Sequence, residues 1–276
     1  MGLKQMLFRI ATWNINSIRL RLAQVFQYLK LFPADVLCLQ ETKCPDALFP
    51  VEAFEAAGYK YIALSGQKSY NGVAIVSRLP FKKVNKRFFC QNQDCRYISV
   101  IVETHGKLIR IHNFYVPAGG DIPDAEVNEK FRHKLDFLEE MSSIRADQEE
   151  NVSSLLLGDL NIAPLAEDVW SHQKLLKVVS HTPIETERLQ NLCCQGGWVD
   201  LMRLHIPVPT KLYTWWSYRA RDWALTDYGR RLDHIWSSPD LAPFVADLST
   251  FRDARGWDHP SDHIPVQTVF DFSRQF

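Results

Sequence analysis

Six short polar motifs hold the side chains that could do chemistry. They are Asn14 in ATWNINSIR, Glu41 in LCLQETK, Asn113 and Tyr115 in IHNFYVP, Asp159 and Asn161 in LLLGDLNIAP, Asp233 in RRLDHIW, and Asp262 with His263 in PSDHIP. Carboxylates and carboxamides are the ligands of hard divalent cations such as Mg²⁺ or Mn²⁺, and an imidazole can steady a phosphoryl oxygen. No set of thiolates with zinc-ligand spacing competes with them.

Each motif also has a plainer reading. Glu41 follows the apolar run ADVLCLQ and offers one or two carboxylate oxygens to a metal, or serves as an ordinary surface or capping residue. Asp159 and Asn161 flank Leu160 and point the same way if the chain is extended. Asp159 would then orient and deprotonate a water while Asn161 donates to a phosphate; the alternative is an Asx-turn before Pro164. His263 is a donor to phosphate if protonated, with Asp233 orienting it and raising its pKa. Asp262 stands ready for the metal or for the imidazole. Tyr115 suits core packing equally well, Asn113 supports the network, and Asp35 is either a supporting carboxylate or a cap at the strand entry.

These residues need strand ends to hold them. LFRIATWN, ADVLCLQ, YKYIALS, GVAIVSR, Lys83–Phe89, Tyr97–Thr104, Leu108–Tyr115, SSLLLGDL, LYTWW, RLDHIWSS and PVQTVF read as strands, several apolar enough to be buried on both faces. A helix opens after Asn16-Ser17 with Leu22, Val25, Phe26 and Leu29 on one face and ends before Pro33. Further helices are predicted at Val51–Ala57, at Glu126–Arg145 with Val127, Phe131, Leu135, Leu138 and Met141 on one face, and at Glu185–Cys194 before Gly196-Gly197. Mixed strands and helices with several hairpins favour two sheets packed face to face under helices, an α/β architecture. Since the motifs come from both halves and must meet, residues 1–276 are expected to form a single domain.

Bulk properties narrow the class. The chain has 276 residues, 46% of them apolar and 23% charged, as in ordinary soluble domains. No apolar run approaches the roughly 18 residues of a membrane span, and MGLKQMLFRIATWN lacks a secretory pattern, so no membrane partner and a cytoplasmic location are expected. The six cysteines are then free thiols. The formal net charge of zero argues mildly against a polyanionic partner unless charge is polarised around a carboxylate site.

LQETK, GDLNIAP, RLDHIW and SDHIP, in this order and spread over essentially the whole chain, resemble the exonuclease III family of AP endonucleases within the DNase I-like phosphodiesterases. The stretch YTWWSYRARDWALTDYGRRLDHIW is similar to the bacterial exonuclease III branch. The resemblance implies a four-layer α/β sandwich, with two mixed, mainly antiparallel sheets flanked by helices and a site at one edge. It implies metal positions at Asn14, Glu41, Asp159, Asn161, Asp262 and His263, and catalytic roles for Tyr115, Asp159, Asn161, Asp233 and His263. Asn16 stands where some relatives carry Asp. Trp215 and Leu232 match positions that wall a pocket for an extruded abasic sugar, whereas Arg230 replaces an apolar or aromatic wedge.

For DNA, Lys43, Lys68, Arg96, Arg219, Arg221 and Arg230 are phosphate-contact candidates, each weighed against simple solvation. Of Trp215, Trp216, Tyr218 and Trp223, at least two are expected in the core. Arg230 and Arg231 point to opposite faces of an extended chain, so one can face DNA while the other makes a structural ion pair. The implied function is a monomeric, Mg²⁺-dependent repair nuclease that cuts duplex DNA 5′ to abasic sites and trims damaged 3′ ends. The rivals are a phosphodiesterase of the same scaffold acting on a small phosphorylated molecule or phospholipid, and a non-catalytic DNA-binding relative.

Overall fold

The computed structural model describes residues 6–220 and 222–274. In chain order its first half contains β1 (Leu7–Asn14), α1 (Ile18–Leu31), β2 (Val36–Gln40), α2 (Val51–Ala56), β3 (Tyr61–Ser65), β4 (Val73–Ser77), β5 (Phe81–Lys86), β6 (Tyr97–Thr104), β7 (Lys107–Tyr115) and α3 (Glu129–Met141). There follow β8 (Val152–Asp159), α4 (His172–Leu175), α5 (Pro183–Gln195), β9 (Val199–Asp200), α6 (Leu201–His205), β10 (Trp215–Trp216), α7 (Trp223–Thr226), β11 (Gly229–Arg230), β12 (Asp233–Ser237), β13 (Val245–Thr250) and β14 (Val266–Asp271).

One six-stranded sheet runs β13-β14-β1-β2-β4-β3 and a second runs β5-β6-β7-β8-β12-β9. Only β1–β2 and β7–β8 are parallel pairs within them. Strand β2 shows why the sheets stack. All five of its residues are buried, and alternation sends Val36 and Cys38 one way and Leu37 and Leu39 the other. Val36 and Cys38 enter the layer between the sheets with Ile75, Ile111, Leu155 and Ile235. Leu37 and Leu39 pack under α1 and α2 with Val25, Leu29 and Phe54. On the far face of the second sheet, Phe114, Leu156 and Trp236 meet Phe137, Leu138 and Met141 of α3 and Leu189 and Leu192 of α5. Each such side chain contributes about 1.5–3 kcal/mol on burial, which is what drives the helix–sheet–sheet–helix stack.

Several boundaries differ from the sequence expectation. Helix α3 starts only at Glu129, because Asn128 accepts the Lys130 N–H as its N-cap; Val127 therefore lies outside the helix and is exposed. Helix α5 starts two residues before Glu185, since Thr182 and Glu185 form a capping box around Pro183. The LYTWW strand shrinks to Trp215–Trp216, and the Lys83–Phe89 strand moves to Phe81–Lys86. Strand β13 and the short helices α4, α6 and α7 had no clear periodic signal. All six cysteines are free, as expected. No described helix is long and apolar enough to cross a membrane.

Candidate active site

Sheet register assembles the site. In the second sheet Tyr115, the last residue of β7, is level with Asp159, the last residue of β8, and Asp159 is level with Asp233, the first residue of β12. In the first sheet Asn14 ends β1 beside Gln40, which puts Glu41 one residue beyond the same edge. Beneath this edge the two sheets are tied together by Asn113. It is fully buried, donates to the carbonyls of Leu39 (3.0 Å) and Ala74 (2.9 Å), and accepts the Gln40 amide at 2.7 Å. The loop before β14 brings Asp262 and His263 across the gap, held where Ser261 donates to the Asn14 carbonyl and the Trp13 indole donates to the His263 carbonyl.

Asp159 is the hub. Its Oδ2 accepts the Asn14 amide at 2.8 Å and the Asn161 amide at 3.1 Å, and lies 3.6 Å from His263 Nε2. Its Oδ1 accepts the Asn161 backbone N–H at 2.9 Å. The Asx-turn and the active-site arrangement are thus one structure. Asn161 reaches Asp159 through that turn, with φ +54°, and not by the strand alternation expected from the sequence. Burial is the main cause that raises the Asp159 pKa, and the charges of Asp233 and Glu41 add to it, against the opposing pull of His263 and Asn14.

His263 is caught between carboxylates. Its Nδ1 lies 2.8 Å from Asp233 Oδ2, and the Asp233 backbone N–H is itself held by Thr214 Oγ1. Burial works against a charged imidazole, but Asp233, Asp159 and Asp262 outweigh it and raise the His263 pKa to about 10. Asp159, Asp233 and His263 bring possible ligand atoms within 4.8 Å of one another.

Glu41 has the left-handed φ of +50°, unusual for a side chain of this kind and typical of strained functional positions. Its Oε1 accepts the Asn14 amide at 3.0 Å and its Oε2 lies 2.7 Å from Lys43 Nζ. Burial opposes its charge, yet Lys43, Asn14 and His263 hold the carboxyl below its usual range. Asn14 gives its amide hydrogens to Glu41 and Asp159 while its oxygen accepts the Asn16 N–H. It spaces two carboxylates, and its oxygen keeps a second lone pair. Asp262 accepts the Trp215 indole at 2.9 Å and the Asn16 amide at 3.1 Å. Burial, then Glu41 and Asp159, push the Tyr115 hydroxyl well above its ordinary pKa, so it stays a hydrogen-bond donor.

A cavity of about 850 Å³ opens beside these groups. Glu41, Tyr115, Asn161 and His263 line it together with Trp215, Arg230, Leu232, Trp170 and the Val178–Ser180 loop. The sequence reading missed Trp170 and that loop, whose residues carry no catalytic signature.

Other expectations fall elsewhere. Asp35 accepts the Arg9 N–H at 2.7 Å at the start of β2, the opposite end from Glu41, so it caps the strand entry and does not support the site. Lys43 is committed to Glu41 and to Asn16 Oδ1. Arg96 pairs with Asp94 and covers the Tyr115 ring at 4.8 Å. Arg219 and Lys68 are exposed, and Arg219 lines the cavity; Arg221 lies outside the described residues. Of the four aromatics around Ser217, only Trp216 is buried, where at least two were expected in the core. Arg231 is the structural partner of the arginine pair, fully buried against Asp168 and Asp200. Arg230 is half-buried and forms part of the cavity wall.

Comparison with known proteins gives a consistent set of relatives. The endonuclease/exonuclease/phosphatase family matches residues 11–263. Exodeoxyribonuclease III of Haemophilus influenzae is 29% identical, over 95% of this chain and 99% of its own. Among solved structures, a 3′ phosphatase from Neisseria bound to a product DNA hairpin aligns with a TM-score of 0.87 and 32% identity, covering 96% of this chain and 100% of that one. An AP endonuclease from Archaeoglobus fulgidus aligns with a TM-score of 0.86 and 33% identity, covering 96% and 99%.

Proposed function

The chain belongs to the endonuclease/exonuclease/phosphatase family, and we propose that it is a DNA repair nuclease that hydrolyses the phosphodiester 5′ to abasic sites and trims 3′ ends with the same centre. The relatives include an exodeoxyribonuclease, a 3′ phosphatase bound to a product DNA hairpin, and an AP endonuclease, so a hydrolytic nuclease acting on DNA is the common ground. The observation that carries the reading is the Asp159 carboxylate, oriented by Asn14 and Asn161 and faced by His263, which lines the cavity.

These residues divide the chemistry. Asp159 takes a proton from a water as that water attacks phosphorus, its raised pKa making it a better base than a free aspartate. His263, kept protonated by Asp233, donates to the phosphoryl oxygen as negative charge develops. Tyr115 and Asn161 add neutral hydrogen-bonding groups from the same rim. Glu41, Asp159, Asp233 and Asp262 set four carboxylates against the two cations Lys43 and His263, an excess of negative charge on oxygen donors that fits a hard divalent cation. Glu41 would hold Mg²⁺ or Mn²⁺, with Asp262 beside it, and such an ion supplies charge neutralisation at the phosphate and the leaving oxygen. Trp215 and Leu232 offer an apolar seat for an extruded sugar.

A duplex oligonucleotide carrying one tetrahydrofuran abasic mimic, incubated with and without Mg²⁺, tests the reading. Metal-dependent cutting on the 5′ side of the mimic to give a 3′-hydroxyl supports it. An intact duplex under all conditions overturns it.

A further inference from the structure

One wall of the cavity is a segment with no core of its own. Residues 217–228 join β10 to β11, and Ser217, Arg219, Ala220, Thr226 and Tyr228 line the cavity from it. Every described residue of the segment is exposed or half-buried. Its helix α7 is a single turn of four residues, too short to hold its place by backbone bonds alone. Side chains must therefore hold it. Trp223 is the anchor. Its ring meets the Trp216 ring edge-on at 5.3 Å, and the guanidiniums of Arg252 and Arg255 each lie 5.3 Å from its centroid.

The two arginines are not equivalent. Arg252 lies 2.9 Å from Asp227, so its charge has a counter-charge. Arg255 is 5% exposed, and no described carboxylate forms an ion pair with it. Its Nη2 donates to the Trp216 carbonyl at 3.2 Å, and its Nε is buried without a partner. Besides Trp223, its guanidinium covers the Tyr218 ring, 5.1 Å from the centroid. Burial lowers its pKa from the usual guanidinium value, while Tyr218 and Asp262 pull the other way. A buried cation without a paired counter-charge is costly, and aromatic faces kept from water compensate it in part. Both rings belong to the 217–228 segment. The burial of Arg255 and the placing of that segment therefore depend on each other. Tyr218 also reaches the chemistry. Its hydroxyl donates to the Pro260 carbonyl at 2.8 Å and accepts the Asn16 amide at 3.3 Å, and that amide donates to Asp262 at 3.1 Å.

We propose that Arg255 is a positioning residue of the nuclease, acting through Trp223 and Tyr218 to hold the 217–228 segment as a wall against which DNA is bound. The proposal rests on the nuclease reading above. It makes Arg255 a determinant of substrate binding that touches neither the substrate nor the reacting atoms. Arg255 is absent from the cavity lining, so its removal takes no contact from DNA in the cavity, and a loss of affinity must pass through the segment. Glu41, Tyr115 and Asp159 stand on or beside other strands, so bond breaking in DNA already bound should change little.

The test compares the wild-type protein, Arg255→Met and Trp223→Leu on a duplex with one tetrahydrofuran abasic mimic. Met fills the space of the arginine stem but brings neither charge nor planar face. Arg255→Met should raise KM by about 10-fold or more while kcat moves by less than about 3-fold. Trp223→Leu, at a half-buried position, should do the same. The double variant should be no worse than the worse single one, because both break the same contact. Trypsin reads the segment directly: folded Arg255→Met should be cut within the sequence RARD, after Arg219 or Arg221, faster than wild type. A folded Arg255→Met protein with unchanged KM overturns the proposal. So does a loss that falls on kcat and leaves KM alone, or a cutting rate within RARD that stays at the wild-type value. Should Arg255→Met fail to fold, Trp223→Leu decides, and an unchanged KM in that variant overturns the proposal as well. A wild-type protein that leaves the abasic duplex intact would instead bring down the nuclease reading, and this proposal with it.

Discussion

His263 Nδ1 lies 2.8 Å from Asp233 Oδ2 and both residues are buried, so the carboxylate favours the charged imidazole against the cost of burial. That single contact decides what the ring can do. It fixes the ring orientation and leaves Nε2 directed to Asp159, 3.6 Å away.

The pH profile should report this pair. The proposed reaction needs Asp159 ionised and His263 protonated, so kcat/KM rises as Asp159 loses its proton and falls as His263 loses its own. Because the groups interact, the two limbs belong to the site as a whole. Asp233 is the strongest influence holding the His263 pKa up against burial. Asp233→Asn should therefore lower that pKa and move the alkaline limb to lower pH. An alkaline limb that stays in place would show that His263 is not the group that titrates.

Asp159 and His263 should behave as a unit. Asp159→Asn and His263→Ala are each expected to reduce turnover by about 10²-fold or more, with a far smaller loss of DNA affinity. The double mutant should be much less than multiplicatively worse, because each residue acts through the same transition state. Binding lost in proportion to rate, measured by titration in Ca²⁺ if Ca²⁺ supports binding without turnover, would mark them as structural.

Metal removal gives a third check. EDTA should abolish cleavage, and Mg²⁺ or Mn²⁺ should restore it. Glu41→Gln keeps the shape of the side chain but removes its charge, so the metal concentration for half-maximal rate should rise. Full activity in EDTA would remove the metal from the account.

The buried Lys134–Glu185 pair predicts a stability effect away from the chemistry. Lys134 Nζ also donates to the Asn161 carbonyl at 2.8 Å, so the pair props the Asn161 turn. Lys134→Met leaves Glu185 charged and uncompensated and should cost about 3–5 kcal/mol in urea unfolding. Adding Glu185→Leu removes the stranded charge and should recover a good part of that loss. A double mutant as unstable as the single would show that the pair is not the source of the effect.

Much of this site could be read in the sequence because a polar residue at the end of an apolar run marks a strand end. Asn14, Glu41, Tyr115 and Asp159 all stand at or just beyond such ends. Asp35 shows the limit, since a carboxylate before a strand looks like one after it, and only the sheet direction puts Glu41 at the site and Asp35 at the far edge. Alternation misled for Asn161, whose backbone turns left-handed immediately after β8. Lys134 does sit on the apolar face of α3, three residues after Phe131, but its meaning depends on Glu185 from another helix. The setting of Arg230 needed the Val179–Ser180 loop, which approaches from fifty residues away and carries no motif of its own.

Oxygen labelling tests the central claim most directly. A tetrahydrofuran-containing duplex is cut in H₂¹⁸O with Mg²⁺ and the fragments are weighed by mass spectrometry. If Asp159 directs water to phosphorus, the downstream fragment carries one ¹⁸O in its 5′-phosphate, the new 3′-hydroxyl is unlabelled, and Asp159→Asn slows formation of the same products by about 10²-fold or more. An unlabelled phosphate, label in the 3′-hydroxyl, or an Asp159→Asn protein that cuts at the wild-type rate would contradict it.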